Sequence, residues 1–321
     1  MPSALSTFPG GKGNEGDLLV IVGPTAVGKT ALSLDLAEKF RGEIVSGDSM
    51  QVYRYMDIGT AKASPAERER ASHHLIDLVD PDYPFSLDEF QHRAQRAIRE
   101  IQHRGHLPIM VGGTGLYIQS VTHGYRLPGV KEDPEFRRRM QRLADEKGNE
   151  ALHRRLREVD EATAARLHPN DRRRIIRSLE IYRATGQPPR FQQRAQTSYN
   201  SCWIGLTMPR ELLYERVEQR VDRMIEEGLV EEVVSLRERG YRGDLVSMQA
   251  LGYKEIAMVL DREITQEEAV QLIKRRTRKF AKRQLSWFRR LKMIHWFDVT
   301  KPHFEEEIRK LVAGNFPRYK E

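Results

Sequence analysis

Apolar residues along this chain follow two rhythms. Leu18–Val22, Glu43–Ser46, Leu107–Val111, Cys202–Thr207 and Ile294–Phe297 are short, nearly continuous runs. Runs of that length mark strands buried on both faces, as in a parallel sheet. Between them apolar positions recur every three or four residues, which predicts helices. Leu32, Leu36 and Phe40 mark one over 31–40, and Phe90, Ala94, Ala97, Ile98 and Ile101 another over 85–104. Leu212, Val217, Val221, Met224 and Ile225 predict a single long helix over 211–239. A last long helix over 266–291 would bury Ile273, Thr277, Phe280, Ala281, Leu285, Phe288 and Leu291.

From Lys131 to about Gln196 the strand-like runs stop. Leu152, Leu156, Val159 and Ala162 form one helical stripe, and Ile175, Ile176, Leu179 and Tyr182 a second. A loop at His168–Asp171 separates them, and a turn over 186–189 closes the segment. Strand–helix alternation that is interrupted by helices and then resumes predicts an α/β fold: a doubly wound parallel sheet with an inserted all-helical domain. The expected division is a disordered tail over 1–17, a core over 18–125 and 200–321, and an insertion over 126–199.

The first strand runs straight into Gly23, Pro24, Thr25, Ala26, Val27, Gly28, Lys29 and Thr30, and a helix follows. That context makes the G-x-x-x-x-G-K-[ST] pattern a P-loop, and the core P-loop NTPase-like. The glycines let successive N–H groups turn inward, and the helix N-terminus adds partial positive charge. Lys29 brings a full charge, and the Thr30 hydroxyl can sit on a Mg²⁺ that the phosphates share. A polyphosphate ligand is therefore expected, with ATP the usual guest of such a loop.

The second strand ends in Gly47-Asp48-Ser49-Met50-Gln51, at the sheet edge where ligands of such folds bind. The third ends in Gly112-Gly113-Thr114-Gly115, where an ordinary P-loop ATPase would place a metal-binding aspartate. Asp48 is left as the prominent carboxylate near the phosphates, as a metal ligand or as a base. His73 and His74 are adjacent, so they point different ways, and they are assigned a structural place.

Composition narrows the partners. Of 321 residues 31% are charged, the net charge is +8, and nothing acidic lies between Ala269 and Phe297. That stretch holds Lys274, Arg275, Arg276, Arg278, Lys279, Lys282, Arg283, Arg289, Arg290 and Lys292. Arg172, Arg173, Arg174 and Arg177 cluster too tightly to be explained by salt bridges alone, and Arg216, Arg220 and Arg223 share a helix face as candidate phosphate ligands. Basic surfaces so concentrated point to a polyanion such as nucleic acid. The one cysteine, Cys202, excludes an internal disulfide and a Cys-rich zinc site and suits a reducing cytosol. No apolar stretch approaches a membrane span, and the amino-terminal tail lacks a signal peptide's apolar core.

Taken together the segments resemble the tRNA dimethylallyltransferases, also called tRNA isopentenyltransferases. The resemblance rests on the loop Gly23–Thr30, on Asp48–Tyr53, on Met56–Lys62, on Val111–Tyr117, on His168–Asp171, and on Leu251-Gly252-Tyr253 before the basic helix. It runs from about residue 18 to 297 and matches the bacterial members, since one cysteine cannot supply the zinc finger of eukaryotic relatives. It implies transfer of a dimethylallyl group from dimethylallyl diphosphate to the N6 amine of adenosine 37 in the tRNA anticodon stem-loop. It further implies that Asp48 is the general base, that the loop 23–30 with Lys29, Thr30 and Mg²⁺ holds the diphosphate, and that Arg220 contacts it. Contacts to tRNA are implied for Asp48, Ser49, Met50, Gln51, Thr114, Arg137, Arg173, Arg174 and Arg177. Gly252, Tyr253, Thr277, Lys279, Lys282, Arg283 and Gln284 complete that implied set. A cytoplasmic monomer is expected. The alternatives are an adenylate isopentenyltransferase using free AMP, ADP or ATP, a P-loop nucleotide kinase, and a tRNA-binding protein without chemistry.

Overall fold

In the computed structural model, residues 16–188 and 199–320 are described. The tail over 1–15 and the end of the 186–189 turn lie outside them. The first stretch alternates strand and helix: β1 (Gly16–Val22), α1 (Lys29–Lys39), β2 (Gly42–Ser46), α2 (Pro65–Arg70), β3 (His73–His74), α3 (Leu87–His103), β4 (Leu107–Gly112) and α4 (Gly115–Thr122). Four helices follow: α5 (Pro134–Lys147), α6 (Asn149–Val159), α7 (Glu161–Ala164) and α8 (Arg172–Thr185). The alternation then resumes with β5 (Tyr199–Thr207), α9 (Arg210–Glu226), α10 (Leu229–Glu238), α11 (Tyr253–Leu260), α12 (Gln266–Phe288), β6 (Ile294–Asp298) and α13 (Phe304–Asn315). The chain divides into two compact units, parted between Thr122 and His123 and again between Gln196 and Thr197.

In the larger unit all six strands are parallel, in the order β3-β2-β4-β1-β5-β6. Leu18 to Val22 of β1 are wholly buried, which is why that run shows no alternation. Leu19 and Ile21 pack on one face with Leu32 and Leu36 of α1 and Ile308 and Val312 of α13. Leu18, Val20 and Val22 pack on the other with Phe90, Ala94 and Ile98 of α3 and Phe288 of α12. Register pairs Val22 with Gly112 and Ser46 with Val111, so the carboxyl ends of β1, β2 and β4 meet at one edge. From β1 the chain passes to β2 on one side, and from β4 it passes to β5 on the other. The connections thus diverge between β1 and β4, the switch point where such sheets bind ligands. The smaller unit has its own core, with Phe136, Met140, Leu152, Leu156, Ile175 and Leu179 buried together.

Several expectations need correction. Gly16 and Asp17 do not belong to a tail, because they extend β1 against Tyr199 and Asn200. Asp17 is fixed there by Asn200 Nδ2, which donates to its carboxylate at 2.7 Å, and by Arg318. The helix expected over 211–239 is two. Gly228, at φ +101°, ends α9 and starts α10 in a left-handed conformation that breaks the helical path. Leu212 is exposed, and its neighbour Leu213 fills the core position. The apolar rhythm does not predict α2, α4 or α13. Among the described residues no helix is long and apolar enough to cross a membrane.

Candidate active site

The loop after β1 has the geometry its sequence requires. Gly28 caps α1 at φ +103°, a conformation that strains any residue with a Cβ. Val27 is buried in the core, so only its backbone faces the loop. Lys29 Nζ donates to Gly23 O at 3.1 Å and to Pro24 O at 2.7 Å, which folds the side chain back across the loop. Burial, reinforced by the Arg220 charge, pushes the Lys29 ammonium down to about 7, and Asp48 opposes the shift. Thr30 is exposed at the start of α1.

Asp48 follows β2 and is braced at both ends. Its N–H donates to Ser46 Oγ at 3.3 Å, and its Oδ1 accepts from Met50 N at 2.9 Å. Burial raises the Asp48 pKa above the usual carboxylate value; the Met50 amide, Lys29 and Arg220 limit that rise without reversing it. Ser49 N donates to Thr114 Oγ1 at 3.3 Å, which ties the loop after β2 to the one after β4. Gln51 is spent on structure, since its Nε2 donates to Thr60 O and Ala61 O and its Oε1 accepts from Ser46 Oγ.

Arg220 comes to the same cleft from α9. Of the three arginines on that face it alone lines the cleft, while Arg216 and Arg223 are exposed. Burial lowers its pKa and Asp48 partly restores it. Among the described residues, no carboxylate lies within ion-pair distance of Arg220. Lys29, Thr30, Asp48, Arg220, Phe280 and Gln284 thus line one cleft, in which two cations stand against one carboxylate. Among the described residues no three His, Cys, Asp or Glu side chains cluster for a metal. The candidate donors for a divalent cation in this cleft are therefore the Thr30 hydroxyl and the oxygens of its own phosphate ligand, with Asp48 as the alternative to its use as a base, a donor set that suits Mg²⁺.

Beyond Asp48–Gln51 and Thr114, the residues implied as RNA contacts divide into three groups. Lys279, Lys282 and Arg283 are exposed on α12, and no carboxylate among the described residues pairs with them. Of the ten basic residues between Ala269 and Phe297, only Lys274, Arg276 and Arg278 are ion-paired with carboxylates among the described residues, with Asp222, Glu255 and Glu218. A second group faces inward. Tyr253 is wholly buried, and its hydroxyl donates to Glu232 Oε1 at 2.5 Å. Glu232 also accepts the amides of Asp57, Ile58 and Gly59, so Tyr253 supports the loop over 57–59 and offers RNA no side-chain surface. Gly252 N is bonded to Glu255, Thr277 is 8% exposed, and Gln284 is 5% exposed. The third group belongs to the helical unit. Arg137 pairs with Glu180 and Glu132, and Arg177 pairs with Glu180.

The expectation that the cluster at 172–177 exceeds its salt bridges fails for three of its four members. Arg172 pairs with Asp145, Arg174 with Asp171 and Arg177 with Glu180, while Arg173 is exposed and has no carboxylate partner among the described residues. Sequence reasoning also missed what the Gly112–Gly115 turn does. A Cβ on Gly113 would stand 2.0 Å from Gln284 Nε2, and one on Gly115 2.3 Å from the Trp287 ring. These glycines seat α12 on the loop after β4. Their presence together was the available signal.

Against known families, residues 51–291 match the model of the IPP transferases and residues 16–80 that of the isopentenyl transferases. A tRNA dimethylallyltransferase of Carboxydothermus hydrogenoformans is 51% identical over 300 residues, covering 92% of this chain and 96% of the relative. One from Geobacillus thermodenitrificans is 50% identical over 305 residues, with the same coverage. Among solved structures, the full-length tRNA isopentenylpyrophosphate transferase of Bacillus halodurans superposes with a TM-score of 0.71 at 46% identity, covering 94% of this chain and 97% of that one. A eukaryotic dimethylallyltransferase acting on tRNA gives a TM-score of 0.77 at 30% identity, covering 94% of this chain and 79% of that one.

Proposed function

The chain belongs to the tRNA dimethylallyltransferases, prenyltransferases that act on tRNA, and from that premise we propose how its cleft carries out the transfer. The donor is dimethylallyl diphosphate, with its diphosphate on the loop 23–30. The acceptor is the N6 amine of adenosine 37, turned out of the anticodon loop so that it can reach Asp48. The N6–C1 bond forms as the C1–O bond to the diphosphate breaks, and the electron pair leaves with the diphosphate. The N6 proton passes to the Asp48 carboxylate.

An exocyclic amine is a weak nucleophile, and a positioned base contributes about 10²–10⁴-fold to such a step. The raised pKa of Asp48 makes it a stronger base than an ordinary aspartate. Lys29, Arg220 and the loop amides oppose charge developing on the leaving group. A Mg²⁺ held by the Thr30 hydroxyl and the diphosphate oxygens would, when bound, neutralise further diphosphate charge, and it would leave the Asp48 carboxylate to act as the base.

The observation that carries this reading is the convergence of Lys29 and Arg220 on one cleft with a single carboxylate. That leaves net positive charge for a departing diphosphate, with a base at hand. The unpaired cations of α12 supply phosphate contacts for RNA, which position the substrate without reading its sequence. We assign the anticodon stem to the helical unit, where Arg173 is exposed. Cys202 is buried and burial pushes its thiol up to about 11, which fits an inert thiol in a cytoplasmic enzyme.

Incubation with radiolabelled dimethylallyl diphosphate, Mg²⁺ and unmodified tRNA should label the tRNA. Label in free AMP but not in tRNA would overturn the reading in favour of an adenylate acceptor.

A further inference from the structure

Gln284 lies on the inward stripe of α12 with Thr277, Ala281 and Phe288, while its neighbours Lys282 and Arg283 face solvent. A buried side-chain amide is kept where both its ends find partners. Here Oε1 accepts from Thr25 N at 2.9 Å, and Nε2 donates to Gly113 O at 3.1 Å. Thr25 belongs to the loop after β1 and Gly113 to the loop after the adjacent strand β4. One side chain therefore staples the P-loop to its neighbour.

The staple has a fitted seat. A Cβ on Gly113 would overlap Nε2, so glycine leaves the room that the amide occupies. One turn on, Trp287 Nε1 donates to Gln119 Oε1 at 3.1 Å, which holds the same face of α12 against α4. The start of the P-loop is then fixed from two directions. Lys29 holds the carbonyls of Gly23 and Pro24, and Gln284 holds the next amide, that of Thr25.

We propose that Gln284 is a positioning residue for the diphosphate loop, not an RNA contact, and that it sets the affinity for the diphosphate end of the donor. This rests on the reading that the loop 23–30 binds the diphosphate. Without the staple, the side-chain hydrogen bonds left to residues 23–25 among the described residues are those of Lys29, the same side chain that must also meet the ligand. The chemical step at Asp48 and the RNA surface of α12 are built from other residues.

The test is Gln284→Met in the full chain, which keeps length and apolar contact but removes the amide. Three quantities are compared with wild type: binding of inorganic diphosphate with Mg²⁺ by calorimetry, KM and kcat for dimethylallyl diphosphate at saturating tRNA, and tRNA affinity by filter binding. The loss of hydrogen bonds to the loop should weaken diphosphate binding and raise the donor KM by about tenfold. Both kcat and tRNA affinity should stay within about twofold, the pattern of lost ground-state binding. Gly113→Ala, which drives the amide from its seat by a different route, should give the same split and decides the matter if Gln284→Met does not fold. Weaker tRNA binding with unchanged diphosphate binding would place Gln284 on the RNA surface, and equal losses in both would reduce it to support of the fold. Either result overturns the proposal. A wild-type protein that binds no diphosphate would instead overturn the reading of the loop itself.

Discussion

Lys29 stands between opposing demands. In the proposed mechanism its ammonium meets a diphosphate, yet burial and Arg220 hold its pKa down to about 7. At mildly alkaline pH much of the protein therefore carries a neutral Lys29, and a diphosphate entering the cleft favours the charged form. Binding of diphosphate at about pH 8 should thus take up a proton, approaching about one per site. Calorimetry in two buffers of different ionisation enthalpy measures this uptake, and Lys29→Arg, which stays charged, should lose it. Equal uptake by both proteins would refute the assignment. The same shift has a consequence for stability. The folded pKa lies below the unfolded value of 10.5, so the cost of burying the charge is full below about pH 7 and is relieved as pH rises toward 10.5.

Among the elements, α12 works on two faces, and its sequence explains only one of them in advance. The apolar stripe and the lack of acidic residues were legible, because both are local patterns. The pairing of Lys274, Arg276 and Arg278 was not, since their partners Asp222, Glu255 and Glu218 lie far off in sequence. The Gln284 staple was hidden for the same reason: it spans 259 residues to Thr25. The P-loop and Asp48 were legible because each sits at the end of its own strand. Arg220 needed the family resemblance, and the break at Gly228 needed a φ value that the helical rhythm around it does not carry. What remains unpaired on α12 makes a quantitative prediction. Replacing Lys279, Lys282 and Arg283 together by Gln should flatten the dependence of log affinity for tRNA on log salt, by about 0.7–0.9 for each phosphate that these cations neutralise. A slope equal to that of wild type, measured by filter binding from low to moderate salt, would remove these residues from the RNA surface.

For the molecule as a whole, β2 joins two carboxylates tuned in opposite directions. At its carboxyl end Asp48 is raised by burial. Near its amino end Glu43 is buried too, yet hydrogen bonds from Arg104, His74 and His106 overcome that burial and hold it down to about 2. Glu43 ties β2 to β3 through His74, and to the turn before β4 through Arg104 and His106. The stabilisation it supplies is complete above its ordinary value of 4.5 and is lost as pH falls toward 2. Asp48 takes up its proton earlier on the same descent, so turnover and fold should fail at different pH. On acidification, transfer activity should fall first while the circular dichroism of the native protein persists, and neutralising within that interval should restore activity. Asp48→Asn should lower turnover by about 10²–10⁴-fold without moving the acid unfolding midpoint. Glu43→Gln should leave Asp48 and its catalytic pH limb in place but reduce stability at neutral pH by about 1–3 kcal/mol, because three donors lose a charged acceptor. Coincident loss of activity and structure in the wild type would show that the two ends of β2 do not titrate independently, and that the base at the cleft is not what limits turnover in acid.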